Sequence, residues 1–98
     1  MIFRVKYLPE ARNDSEEIRR YLSQYYVGTA KRFFALLKGR IQLLATSPYL
    51  GQVYEERPAY RRLVVQDYLV FYKVDEETNM VSIHRILHGS RDIGRFLE

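Results

Sequence analysis

The stretch Tyr60–Glu98, YRRLVVQDYLVFYKVDEETNMVSIHRILHGSRDIGRFLE, decides the fold. Within Tyr60–Gln66, Leu63 and Val65 fall on one side and Arg62 and Val64 on the other, the period of two of a half-buried strand. Asp67 marks a turn. Tyr68–Val74 is apolar on both alternations, as a central strand covered on both faces should be. The polar DEETN, Asp75–Asn79, reads as a hairpin loop and Met80–Leu87 as the last strand. Connections this short make the three strands an antiparallel meander. It runs out into a second turn, HGSRD, where a histidine and an arginine sit together.

Upstream, Ile2–Leu8 alternates again, with Ile2, Arg4 and Lys6 on one face and Phe3, Val5 and Tyr7 on the other. Pro9 stops this strand and suits the first turn of a helix. A helix is expected to about Tyr26, with Ala11, Ile18, Leu22 and Tyr25 as its apolar stripe and Tyr21 beside it. Asp14 followed by Glu17 resembles a capping pattern, so the regular helix starts either at Pro9 or at Asp14. Val27-Gly28 is expected to end it, with glycine in the left-handed conformation. Thr29 is placed to cap a second helix running to about Thr46, with Ala30, Phe33, Phe34, Leu37, Ile41 and Leu44 facing the core. Pro48–Gly51 breaks it, and a loop is expected to about Ala59. The order is β-α-α-β-β-β, an α+β fold in a single domain spanning residues 1–98: an N-terminal αα-hairpin packed on a twisted antiparallel sheet whose other face stays partly open.

The chain has 98 residues and no cysteine, which rules out disulfides and thiolate zinc sites. No apolar run approaches the roughly 20 residues of a membrane span, and no signal-peptide core follows Met1, so a soluble, cytoplasmic protein without membrane partners is expected. The net charge of +4 is uneven. Residues 1–50 hold nine basic and four acidic side chains, and residues 51–98 hold seven and eight. Lys31, Arg32, Lys38 and Arg40 lie in a segment with no acid at all. They suit nucleic acid, an acidic protein partner, or plain solvated surface.

Strong catalytic motifs are missing: there is no Walker loop, dinucleotide fingerprint or HExxH, and nothing calls for a cofactor. His84 and His88 straddle a strand end without the convergent ligands a metal needs, so no metal site is expected. Ser82 and Ser90 lack nucleophile surroundings. What remains is Arg61, Arg62, Tyr68, Arg85, His88 and Arg91 near the sheet. Such a set suits metal-free RNA cleavage, in which arginines balance phosphate charge and a histidine or tyrosine moves the proton. Taken singly, each is as easily a turn or surface residue.

The combination of YRRLVVQDYLVFYKV, a polar loop and VSIHRILHGSRDI resembles the RelE/ParE superfamily of bacterial toxins from type II toxin–antitoxin systems. The opening strand with LPEARNDSEEIRRYL, and Pro48–Gly51 as a Pro-x-x-Gly turn, extend the likeness over nearly the whole chain. The resemblance implies a cognate antitoxin that wraps the toxin. It also offers two activities. Members that cleave ribosome-bound mRNA carry an arginine directly after the position of Tyr68, where this chain has Leu69, and often a tyrosine near the C-terminus, where it has Phe96 and Leu97. Losing a transition-state arginine typically lowers rate by about 10²–10³. LVFYKV and ILHGSRD are closer to the ParE branch, whose members poison DNA gyrase by binding it.

The expectation is therefore a ParE-like toxin with roles in plasmid stabilisation and growth inhibition, contacting its target through Arg61, Arg85, His88, Arg91 and Arg95 and its antitoxin through Lys31, Arg32, Lys38 and Arg40. The alternatives are a ribosome-dependent endoribonuclease using Arg62, His88 and Arg91, and an inactive relative kept as a binding partner.

Overall fold

The computed structural model describes residues 2–26 and 28–97. Its elements are β1 (Arg4–Tyr7), α1 (Pro9–Leu22), α2 (Thr29–Gln42) with a 3-10 turn at Leu43–Ala45, β2 (Gln52–Val53), β3 (Arg61–Val65), β4 (Tyr68–Asp75), β5 (Met80–His88) and a last 3-10 turn at Ile93–Arg95. The five strands form one sheet in the order β1-β5-β4-β3-β2. The meander is antiparallel, as its short turns require, but β1 joins β5 in parallel, so the sheet is mixed. The two helices cover one face. Phe33, Leu37, Ile41 and Leu44 of α2 and its 3-10 turn meet Leu63, Val65, Val70, Tyr72, Val81 and Ile83 in the main core.

Several local expectations change. Regular α1 begins at Pro9 and stops at Leu22, where the Ser23 N–H bonds the Arg19 carbonyl. The apolar stripe stops with it, so Tyr25 is exposed rather than core. Gly28 is left-handed (φ 96°), but it leads into α2 instead of closing α1; Val27 lies outside the described residues. Thr29 is already the first helical residue, and its hydroxyl caps nothing. Within the expected loop, Gln52–Val53 forms a short strand on β3.

The Pro48–Gly51 turn has a physical reason for its glycine. The buried Tyr72 hydroxyl donates to the Pro48 carbonyl at 2.9 Å and accepts from the Gly51 N–H at 2.8 Å. A Cβ on Gly51 would stand 2.7 Å from that hydroxyl and 2.7 Å from the Arg62 carbonyl.

The other sheet face is less open than expected. Phe71 and Leu87 are buried there with Tyr54, Tyr60 and Leu97, and Leu69, Ile93 and Phe96 pack against them. Arginines tie down the covering C-terminal segment. Arg57 donates to the Leu97 and Gly94 carbonyls at 2.9 and 3.2 Å, and Arg85 donates to Phe96 O at 3.1 Å.

Candidate functional site

The site begins with a mismatch in strand length. β1 has four residues and β5 has nine, and Pro9 turns the chain into α1 where β1 would otherwise continue. Past Ile83 the open edge of β5 therefore needs another partner, because a buried N–H left unpaired is costly. Asp14 supplies it, accepting the Ile86 N–H at 2.9 Å. The same carboxylate takes two bonds of 2.8 Å from the Arg85 guanidinium, a bidentate pair that holds Arg85 firmly in its charged form. Asp14 is thus a buried strand-edge cap, not a helix cap.

The pairing of Phe71 with Arg85 and of Tyr72 with Ile83 leaves His84 as an extra bulged residue. The bulge resets the alternation: Ile83 and Ile86 both face the helices, and His88 follows Ile86 onto that side. There its ring meets Tyr68 edge to face, with centroids 5.2 Å apart. The HGSRD turn is exposed at its tip and anchored at its root, where the Gly89 N–H bonds Asp67 O at 2.8 Å and the Arg91 N–H bonds His88 O at 3.0 Å. The Ser90 N–H donates to His88 Nδ1 at 3.1 Å, so that nitrogen presents its lone pair and the neutral ring carries its proton on Nε2. The Ser90 hydroxyl, 2.7 Å from the same Nδ1, adds to this hold. Ser90 orients His88, a role its sequence surroundings did not signal.

Two grooves meet at this end of the molecule. One, of about 410 Å³, runs between Glu17, Ile18 and Tyr21 of α1 and Tyr68, His88, Ser90 and Arg91. The other, of about 300 Å³, adds Arg32, Gln66 and Asp67. Tyr21, Tyr68 and His88 belong to both, so they form one aromatic floor with Arg91 at one mouth and Arg32 at the other. Burial, reinforced by Tyr21 and Asp67, pushes the Tyr68 phenol above its ordinary value; Arg91 opposes the shift. Tyr68 thus stays a neutral donor across the physiological range.

The sequence-selected residues do not gather in one place. His88 and Arg91 share the groove, and Arg91 also lies 5.0 Å from the Phe96 ring centroid. Arg62 pairs with Phe71, on the sheet face opposite His88, in a separate cleft with Glu55 and Glu56. Arg61 holds the Tyr49–Gly51 turn, donating to Gly51 O at 2.7 Å. Arg85, expected among the target contacts, is instead committed to Asp14 and Phe96 O. Arg95 is exposed on the last 3-10 turn.

Nor do the four cations of α2 form one patch. At 3.6 residues per turn, Lys31 and Lys38 lie on one flank and Arg32 and Arg40 on the other. Lys31 shares a furrow with Arg19, Tyr26 and Phe34, while Arg32 belongs to the aromatic groove. Sequence reasoning missed Tyr21 and Glu17 as groove walls; the signal for Tyr21 was its place at the edge of the α1 stripe. Among the described residues no group of three or more His, Asp or Glu converges as a metal site, and no helix is long and apolar enough to cross a membrane.

Comparison with known proteins bears on this arrangement. The family described as "ParE toxin of type II toxin-antitoxin system, parDE" matches residues 5–93. Two proteins called Toxin ParE1, from two strains of Mycobacterium tuberculosis, are 32% identical over 72 residues, which is 72% of this chain and 72% of theirs. Among solved structures, a chain of the RelBE2 toxin–antitoxin complex of M. tuberculosis superposes with a TM-score of 0.65 at 21% identity, covering 90% of this chain and 99% of that one. A chain of the chromosomal ParDE system of P. aeruginosa gives 0.71 at 18% identity, covering 89% and 96%. At those identities the two structures speak for the fold: two helices on a five-stranded mixed sheet.

Proposed function

The chain belongs to the ParE toxin family of type II toxin–antitoxin systems, and from that premise we propose that it acts by binding and poisoning DNA gyrase, not by cutting RNA, and that a cognate antitoxin neutralises it. The observation that carries the choice is the separation of the nuclease candidates. Arg62 lies on one sheet face and His88 on the other, so they cannot converge on one phosphate. Leu69, where a cleaving relative would carry its arginine, packs into the apolar cluster under the C-terminal segment.

What remains at the groove suits recognition. Aromatic rings and arginine are the side chains that dominate protein–protein hot spots. Tyr21 and Tyr68 offer rigid area, His88 a fixed Nε2–H donor, and Arg91 an exposed cation. The target-binding assignment therefore contracts to His88 and Arg91 with the two tyrosines, and Arg85 keeps a positioning role beneath them.

The experiment is a supercoiling assay with purified gyrase beside a ribosome-bound mRNA cleavage assay. Inhibition of supercoiling with intact mRNA is expected, and His88→Ala with Arg91→Glu should remove the inhibition while circular dichroism stays unchanged. Cleaved transcripts with unaffected supercoiling would overturn the reading in favour of a ribosome-dependent nuclease. Failure to affect either, together with harmless expression, would leave an inactive relative.

A further inference from the structure

Residues 18–54 carry six cations and no carboxylate, and where α1 gives way to α2 that imbalance becomes a surface. A furrow of about 600 Å³ runs there between Arg19, Ser23 and Tyr26 on one side and Lys31 and Phe34 on the other. Its chemistry differs from that of the other clefts. The aromatic groove includes Glu17 and Asp67, and the cleft beside Arg62 includes Glu55 and Glu56, whereas the furrow holds two cations, two rings and a serine hydroxyl. Tyr26 is 76% exposed and so offers a ring face to solvent. The Arg19 guanidinium sits over the Phe34 ring, 4.3 Å from its centroid, and makes a second, cationic platform. Lys38 extends the line. It is exposed and lies two helical turns beyond Lys31 on the same flank of α2, about 10 Å along the axis. Among the described residues no carboxylate lies within ion-pair distance of Arg19, Lys31 or Lys38.

We propose that this furrow binds single-stranded nucleic acid, with a base stacked on Tyr26 and the phosphates held by Arg19, Lys31 and Lys38. This goes beyond the gyrase reading and does not rest on it. Cations that track a backbone, interleaved with aromatic faces on which bases stack, are what a single strand requires of a surface. The two features together select the occupant. An acidic peptide would answer the lysines but brings no planar group to Tyr26. A duplex keeps its bases stacked on one another and presents only phosphate. The furrow lies on the Lys31 flank of α2 and the aromatic groove on the Arg32 flank, so a strand bound in the furrow leaves the groove free for a protein target.

The probe is a fluorescein-labelled oligothymidylate of about twelve nucleotides, titrated with the full chain and followed by anisotropy. A blunt duplex of the same length and polyglutamate serve as competitors, and the single strand is expected to bind tightest. Tyr26→Ala should weaken it about tenfold, one stacked base, while Tyr26→Phe keeps the affinity. Lys31→Gln with Lys38→Gln should make the log–log salt dependence shallower by about 1.4, since each phosphate contact on a single strand contributes about 0.7. Arg4→Gln with Lys6→Gln removes the same charge elsewhere and should leave that slope unchanged. All these side chains except the half-buried Lys6 neighbour set are on the surface of the described chain, and Tyr26, Lys31 and Lys38 are exposed, so the furrow variants keep the fold. Amide shift changes on adding the oligonucleotide should gather at Ser23, Tyr26, Lys31 and Phe34. Equal competition by polyglutamate or duplex, full affinity in Tyr26→Ala, or shift changes gathered at His88 and Arg91 instead would each overturn the proposal. The titration needs no gyrase, so its failure would sink the furrow alone, whereas failure of the supercoiling assay would sink the gyrase reading.

Discussion

Asp14→Ala should unfold this protein more readily than any comparably sized change on the surface of α1. The carboxylate is 8% exposed and Arg85, its partner, 20%. Removing it leaves the Ile86 N–H unpaired in a buried position, a loss of about 1–3 kcal/mol. It also leaves a guanidinium without its counter-charge. Breaking a fully buried pair costs about 3–5 kcal/mol, but Arg85 keeps some access to water and recovers part of that. A net loss of about 3 kcal/mol follows. With 98 residues unfolding at about 2.1 cal/mol/K each, the melting temperature should fall by about 15 °C.

The assay is urea unfolding of the wild type, Asp14→Ala, Arg85→Ala and the double variant. In the Arg85→Ala background, deleting Asp14 costs only the Ile86 bond, about 1 kcal/mol. The cycle should therefore show a coupling of about 2 kcal/mol. Single effects that add to within about 0.5 kcal/mol would mean that the two side chains are independent and the ion pair contributes nothing, while no cost of Asp14→Ala in the Arg85→Ala background would refute the strand-edge account.

Gly51→Ala forces a methyl into contact with Tyr72 Oη and the Arg62 carbonyl, and should lower stability by about 2–3 kcal/mol in the same urea assay; a neutral result would mean that the turn moves freely. Stability should fall as pH drops below His84's ordinary value of 6.5, because burial, aided by Lys73 and opposed by Glu10, holds its pKa lower in the folded chain than in the unfolded one. The unfolded state then binds more protons in that window, so His84→Gln should flatten the decline in melting temperature between about pH 7 and pH 5, and an unchanged slope would exclude His84 as its source. Leu69→Arg restores the residue of cleaving relatives but pushes a cation into the cluster of Leu87, Ile93 and Phe96; it should destabilise the fold by about 1–3 kcal/mol and yield no mRNA cleavage, and any cleavage gained would reopen the nuclease reading.

Much of the fold was legible because periodicity is a local signal. The alternation in Tyr68–Val74 announced a strand covered on both faces, and the structure divides it accordingly, with Val70 and Tyr72 toward the helices and Leu69 and Phe71 away from them. The contacts that local periodicity did not announce share a different property: their partners are remote. Asp14 and Arg85 are 71 positions apart, Tyr72 and Gly51 are 21, and Arg57 and Leu97 are 40. Nothing within one turn of Asp14 distinguishes a helix cap from a strand-edge cap. The bulge at His84 was equally silent, since an extra residue alters which face His88 reaches without altering composition. The four cations of α2 were assigned together from their place in an acid-free segment, but a helix denies a shared face to residues at positions 31 and 32.

A single event in the chain creates the groove. Pro9 ends β1 opposite Ile83, while β5 continues to His88. Were β1 as long as β5, it would pair along the whole strand, Asp14 would have no amide to accept, and α1 would be displaced from the space beside Ile86. The groove of Tyr21, Tyr68 and His88 exists because a helix, standing off farther than a strand, replaces β1 along the second half of β5. The first half keeps its strand, whose exposed face carries Arg4 and Lys6.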